Sequence, residues 1–253
     1  MHLGGISRKK GCFFTQTPFL FTVLLTILPL AYGGDGDLTV PTDKDKLTVS
    51  QNAKSPESDS SDLASQIFVQ DRIMLEFMTG AMFSPSGVGP VVPVYNYQQN
   101  NVRLGWVLDS PDEWGPQAGI DDPLRGSFQA ILETTGSYVW TSFGTYMVGI
   151  TGLVRYNFVQ PNWIVVPYIQ GGAGIIYTNA RNWSNQDAIG GNWEFTPQFG
   201  GGLKFLLDKN WTFNLEGDFQ HISNANTSAR NEGVNAYGGF VGFTYIFDKT
   251  WND

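Results

Sequence analysis

The chain is poor in the residues that most often carry chemistry. Its single cysteine, Cys12, precedes an apolar run near the start of the chain, so it is not placed like a lipoprotein cysteine. No cysteine follows, which excludes a disulfide framework in the remainder. Of the two histidines, only His221 lies beyond the first few residues. A metal site would have to be assembled from carboxylates alone, and no fitting cluster stands in the sequence, so no metal and no cofactor are expected. Beyond residue 30 there is no apolar stretch approaching the ~20 residues of a membrane helix. Positive charge is also scarce. Once Arg8, Lys9 and Lys10 are set aside from the 15 Lys and Arg, 12 stand against 23 Asp and Glu. That balance argues against a nucleic-acid partner or an anionic surface.

What is present begins with a secretory leader. Arg8, Lys9 and Lys10 precede a nearly unbroken apolar segment from Pro18 to Leu30, and Ala31-Tyr32-Gly33 offers small residues at the cleavage positions. Residues 1–33 are therefore expected to be a cleaved signal peptide. Residues 34–65 are polar and acidic, with Asp-Lys-Asp-Lys and Ser-Pro-Glu-Ser-Asp-Ser-Ser-Asp runs, and are expected to form a disordered periplasmic tail.

From residue 66 to 253 the hydrophobic pattern changes to period two, and eight strands are expected. They fall at residues 71–83, 101–109, 126–135, 145–157, 163–178, 193–205, 211–223 and 235–247. In the sixth, Trp193, Phe195, Phe199, Leu203 and Phe205 alternate with Glu194, Thr196, Gln198 and Lys204. In the seventh, Trp211, Phe213, Leu215 and Phe219 alternate with Asn214, Glu216, Asp218 and Gln220. The fifth is rich in glycine and leaves its faces undecided. Apolar-out, polar-in alternation, with eight tryptophans and 30 glycines, points to an all-β fold, an eight-stranded antiparallel transmembrane β-barrel of the bacterial outer membrane.

The polar faces carry Arg72, Glu76, Arg103, Glu133, Arg155, Glu194, Lys204, Glu216 and Asp218. A barrel of eight strands is just wide enough for side chains to fill. These charges are expected to pair inside it, which disfavours a porin. Connections at residues 158–162 and 208–210 are short, as periplasmic turns should be. Those at 84–100, 179–190 and 224–234 are longer, as external loops should be. The connection at 110–125 would be periplasmic yet is long, so it either packs across the barrel mouth or marks an error in the strand count.

With both ends in the periplasm, the seventh strand runs outward and ends at His221-Ile222-Ser223 near the outer leaflet. His221 and Ser223 share the phase of Trp211, Phe213, Leu215 and Phe219, the lipid-facing side. Polar groups there are costly unless functional or already at the interface. A general base beside a hydroxyl, facing lipid, suggests attack on a lipid ester.

These residues resemble a family. His221-Ile222-Ser223-Asn224-Ala225, with Asn231-x-Gly233 and Asn235 following, is similar to the PagL-type lipid A 3-O-deacylases. So are Pro167-Tyr168-Ile169-Gln170-Gly171-Gly172-Ala173-Gly174 and Phe199-Gly200-Gly201-Gly202. The resemblance spans residues 71–247. It implies a serine esterase on the outer face of the barrel, removing an ester-linked 3-hydroxyacyl chain from lipid A of lipopolysaccharide. It also implies Ser223 as nucleophile, His221 as general base and Asn224 at the oxyanion. The family's triad acid falls at Asn235, and here the chain departs. An amide carbonyl can still accept from the imidazole but brings no charge. Glu232, three residues earlier, is the alternative acid. The expected partners are lipid A and outer-membrane lipids, with homodimer formation left open. The competing expectation is a catalytically silent small outer-membrane barrel with a structural or adhesion role.

Overall fold

The computed structural model describes residues 62–84, 94–113 and 123–250. The expected signal peptide and all but the end of the expected tail lie outside the described residues. The chain builds a short helix α1 (Leu63–Ile67), then β1 (Arg72–Phe83), β2 (Tyr97–Val107), β3 (Gly126–Val139), β4 (Tyr146–Phe158) and β5 (Val165–Thr178). A 3-10 turn (Ala180–Asn182) precedes β6 (Trp193–Phe195), β7 (Gln198–Leu206), β8 (Trp211–Ile222) and β9 (Val234–Thr250). Each strand pairs antiparallel with its neighbours in the order β4-β3-β2-β1-β9-β8-β7-β5, and pairing of β4 with β5 closes the ring. β6 also pairs with β5, at Ile175–Tyr177. β6 and β7 are thus two halves of one stave, interrupted at Thr196-Pro197, where proline has no N–H to give the ladder. The barrel has eight staves and no open edge.

The expected strands are all present, with changed ends. β2 begins at Tyr97 and β3 runs on to Val139, so both reach further outward than their apolar alternation suggested. β5, whose faces the glycines obscured, turns Val166, Tyr168 and Gln170 inward and Ile169 and Ile175 outward. The outward face carries rings at both ends. Phe83, Tyr138, Trp140, Tyr146 and Trp193 lie toward the His221 end, and Trp163, Trp211 and Phe247 toward the other. Aliphatic residues such as Ile150, Val154 and Leu215 lie between. This is the aromatic-girdled apolar band of a membrane barrel.

The interior has three layers. In the middle, Glu76, Arg103 and Glu133 are direct register partners on β1, β2 and β3. Arg103 reaches Glu76 at 2.8 Å, Glu133 at 2.6 Å and Glu216 at 2.8 Å. Arg155 bonds Glu76 at 2.9 Å, and Lys204 Nζ approaches the same carboxylate at 2.6 Å. The Tyr168 hydroxyl donates to Glu216 at 2.7 Å. Pairing and hydrogen bonding offset the desolvation of these buried charges. Arg72 departs from the expected interior set. It sits at the rim and donates to the carbonyls of Phe247 and Asp248.

Above and below this charged layer lie apolar plugs. Toward the His221 end, Met78, Met82, Tyr97, Phe143, Ile222 and Phe240 belong to one cluster. At the opposite mouth, Ala64 and Ile67 of α1, with Phe68, pack against Met74, Val107, Val166 and Ile246. Residues 63–65, assigned by composition to the tail, therefore begin the folded body. Asp62 caps α1 by accepting from the Ser65 N–H at 3.1 Å. The long 110–125 connection is tied to this mouth at its described ends. Arg125 grips Asp112 at 2.7 and 2.9 Å and donates to the Val159 carbonyl. The Arg125 guanidinium holds the Asp112 carboxyl below the usual aspartate range. The strand count therefore stands.

Candidate active site

The end of β8 faces the start of β9, with His221 in register with Asn235 and Ile222 with Val234. Alternation sends Ile222, Val234 and Ala236 into the apolar plug, where each is buried. His221, Ser223 and Asn235 are turned to the other side and half-buried. Each outward group thus stands on a packed inward neighbour, which restrains its backbone.

His221 Nδ1 and Asn235 Oδ1 are 2.6 Å apart. With the amide oxygen toward the ring, Nδ1 carries the proton and donates it. Nε2 is then the basic nitrogen. Gly233 sets the other side of the ring. Its φ is +75°, and a Cβ there would lie 2.9 Å from His221 Cε1. Glycine is required twice at this position, for backbone conformation and for the space that the imidazole occupies.

Ser223 is held through its backbone. Its N–H donates to Phe195 O at 3.1 Å, and its carbonyl accepts from Phe195 N at 2.7 Å. The His221 N–H donates to Pro197 O at 3.0 Å. Ladder bonding therefore continues across the break between β6 and β7. The Ser223 hydroxyl makes no hydrogen bond among the described residues.

Just beyond Ser223 the chain turns. Thr227 N donates to Asn224 O at 3.1 Å, and the two central residues, Ala225 and Asn226, have φ of +51° and +64°. Positive φ at both central positions is the type I′ pattern. A non-glycine residue such as Ala225 costs roughly 1–2 kcal/mol there. Among the described residues the Ala225 and Asn226 N–H groups have no acceptor.

Asn224, expected at the oxyanion, faces the opposite way from His221 and Ser223. Its phase is even, so its side chain turns inward and is wholly buried. Nδ2 donates to Arg230 O at 2.8 Å, while its backbone N–H is taken by Asn231 Oδ1 at 2.7 Å. Its amide braces the loop. Glu232 is exposed, and its side chain makes no hydrogen bond among the described residues. Of the two candidates for orienting His221, only Asn235 bonds the ring.

Sequence reasoning missed the bracing around this corner. Arg230 donates to the carbonyls of Trp183 at 2.6 Å, Gln186 at 3.2 Å and Arg181 at 2.7 Å. Glu232 N and Gly233 N donate to Asp187 O and Ala188 O, each at 3.0 Å. The loop after β5 and the loop after β8 are thereby stitched together. On the membrane side of His221, Phe219 meets Phe199 at 4.9 Å and Tyr237 at 4.9 Å between ring centroids. These three outward rings form an apolar apron across β7, β8 and β9.

The arrangement sets a base and a hydroxyl on one outer face beside an apolar apron. No curated protein matches the sequence. Among solved structures, the barrel is similar to the outer membrane enzyme PagL, at 19% identity and a TM-score of 0.47, over 67% of this chain and 97% of that one. It is also similar to Neisserial surface protein A, at 12% identity and a TM-score of 0.48, over 69% of this chain and 97% of that one. The N-terminal β-barrel domain of Pseudomonas aeruginosa OprF matches at 13% identity and a TM-score of 0.44, over 70% of this chain and 98% of that one. The sequence profile of the lipid A 3-O-deacylase (PagL) family matches residues 100–244, more than half of the chain's 253 residues. The chain belongs to the lipid A 3-O-deacylase family, and it is a β-barrel of the bacterial outer membrane.

Proposed function

We propose that this protein is a serine esterase that removes the ester-linked 3-hydroxyacyl chain from lipid A, with Ser223 as nucleophile, His221 as general base and Asn235 as the group that orients the base. The observation that carries this reading is the 2.6 Å contact of His221 Nδ1 with Asn235 Oδ1, on the same outer face as Ser223. By accepting the Nδ1 proton, Asn235 leaves the Nε2 lone pair to take the proton of the Ser223 hydroxyl. The serine oxygen then attacks the ester carbonyl. The tetrahedral intermediate collapses with expulsion of the sugar oxygen, which recovers the proton from His221. Water, deprotonated in turn by His221, attacks the acyl-serine and releases a 3-hydroxy fatty acid.

The Ala225 and Asn226 N–H groups are the donors best placed to meet the developing oxyanion. Asn224, proposed for that role from the family resemblance, contributes by bracing the turn that presents them. The acyl chain leaving the ester would lie along Phe199, Phe219 and Tyr237. The neutral amide at the third position is what favours the silent-barrel reading.

The deciding experiment is mass spectrometry of lipid A from Gram-negative cells that express the wild type or Ser223→Ala. Loss of one hydroxyacyl mass with the wild type alone is the expected result. Identical spectra, with both proteins folded in the outer membrane, would leave a barrel without this activity.

A further inference from the structure

A second polar feature faces the membrane two to three staves away from His221. On the outer side of β1 and β2, Gln98 Nε2 donates to Asn100 Oδ1 at 2.7 Å and to Thr79 Oγ1 at 3.2 Å. Thr79 Oγ1 donates to Asn100 Oδ1 at 2.9 Å. On β3, Thr134 faces outward beside them and donates to the Val102 carbonyl at 3.3 Å. Register places Gln98 between Ala81 and Tyr138, and Asn100 between Thr79 and Gly136.

These side chains do not lie above the apolar band. Gly136 and Asn100 sit two residues inward of the exposed ring of Tyr138, about 7 Å along the strand and roughly 5 Å in depth for a strand tilted ~40°. Below them, Val102 and Leu132 return to the apolar pattern. Gln98, Asn100 and Thr79 answer one another in part, which leaves the acceptor Gln98 Oε1 and the donor Asn100 Nδ2 without a partner among the described residues, a costly state at this depth unless a ligand meets them.

The patch borders a surface groove of about 510 Å³, lined by Gln98, Asn100, Thr134, Gly136, Tyr138 and Val148 among others. Its floor is open at Gly136, where an added Cβ would meet nothing within 4 Å. Among the described residues, none that lines the groove is charged. A phosphate is therefore not the group recognised. The chemistry suits a neutral donor and acceptor, held a few ångströms beneath the headgroup level that the ring of Tyr138 marks.

We propose that this groove is a binding site for a lipid whose acyl chains carry a hydroxyl or amide next to the headgroup, that is, a 3-hydroxyacyl glycolipid. Ordinary phospholipid chains carry no such donor at that depth. The headgroup would lie by Tyr138, the hydroxyl or amide would meet Gln98 and Asn100, and the chain would run down over Gly136 and Val148. The site is separate from His221 and Ser223, and the proposal does not rest on the esterase reading.

The test is native mass spectrometry of the barrel in mixed micelles containing lipid A and phosphatidylethanolamine. A His221→Ala background removes turnover from the measurement. Lipid A should be retained in preference to phosphatidylethanolamine. Gly136→Leu fills the groove, and the paired change Gln98→Leu with Asn100→Leu removes its polar groups. Each should reduce about tenfold the barrel species that carries the most lipid A, lipid A held beside Ser223 being left in place; for the paired change that is the scale of two lost hydrogen bonds. Gly136→Leu keeps the polar side chains, so agreement between the two variants separates loss of the site from loss of the fold. An unchanged population of that most-loaded species in either variant, or equal retention of phosphatidylethanolamine, would overturn the proposal. So would a two-chain mass that both variants abolish, which would make the groove an interface between copies. Failure of the esterase reading would show elsewhere, as lipid A left intact by the unmutated chain.

Discussion

Replacing Asn235 with aspartate tests the reasoning about the site most directly, because the two side chains have the same shape. In a Ser-His-Asp protease, the change from acid to amide costs about 10⁴ in turnover, largely because the amide fixes the wrong imidazole tautomer. That penalty does not apply here. The Asn235 carbonyl oxygen faces Nδ1 at 2.6 Å, so the productive tautomer is already selected. What the amide lacks is charge. Two unit charges ~4 Å apart attract by ~4 kcal/mol at an effective dielectric of ~20. Both residues are half-buried, so solvent screens a good part of this. A gain of about 1–2 kcal/mol in the imidazolium-forming transition state remains, a rise of roughly 5–30-fold. Asn235→Ala should lower activity by about 3–10-fold, from one lost hydrogen bond worth 0.5–1.5 kcal/mol. Asn235→Glu, with a longer reach, should preserve or raise activity. The assay is the initial rate of 3-hydroxy fatty acid release from lipid A in mixed micelles, on protein shown to be folded by its heat-modifiable mobility. Wild-type activity in Asn235→Ala would refute the orienting role, and a loss in Glu232→Ala alongside it would move that role to Glu232. A 10⁴-fold rise in Asn235→Asp would refute the tautomer argument.

Two further outcomes follow from the geometry. Gly233→Ala should keep the barrel folded yet lower turnover by about 10²-fold, because the new methyl displaces the His221 ring and such misplacements carry costs of that size; a wild-type rate would show that the ring has room to move. Arg103→Leu should destabilise the barrel by about 3–5 kcal/mol, since Glu76, Glu133 and Glu216 lose a shared partner. Lys209→Leu, at an exposed pair 3.4 Å from Asp248, should change the denaturant midpoint little, and equal effects of the two substitutions would refute the ledger of buried pairs.

The barrel was legible in the sequence wherever the two faces differ in polarity. Glu76, Arg103, Arg155, Lys204 and Glu216 alternate with apolar neighbours, and the structure turns them inward as that pattern requires. It was less legible where the faces are alike. The outer ends of β2 and β3 are not legible because outward Gln98 and Asn100 flank inward Gln99, and outward Gly136 stands beside inward Ser137, which erases the alternation. The apolar plugs were missed for a related reason. Met78, Ile222 and Phe240 lie on the inward phase, but an apolar residue there breaks the polar-in rule on which the reading relied. At the candidate site, the phase argument and the family resemblance pointed to His221, Ser223, Asn224 and Asn235, with Glu232 as the alternative acid. Neither could find Arg230, whose carbonyl partners lie more than 40 residues earlier in another loop. Contacts between irregular segments have no period to read. The inward turn of Asn224 was available from the alternation alone, since it is out of phase with His221 and Ser223.

The filled interior also governs how this protein meets any substrate. With an apolar stopper at each end and a lattice of ion pairs between them, the barrel is a solid peg. Nothing reaches His221 by passing through it. A lipid must arrive sideways, diffusing in the plane of its own leaflet until it brushes the flank that carries the histidine. Encounter is therefore counted per unit area of membrane and not per unit volume of solution. Leaflet viscosity and the lateral crowding of neighbouring proteins set its frequency, and dilution of the surrounding medium leaves it unchanged.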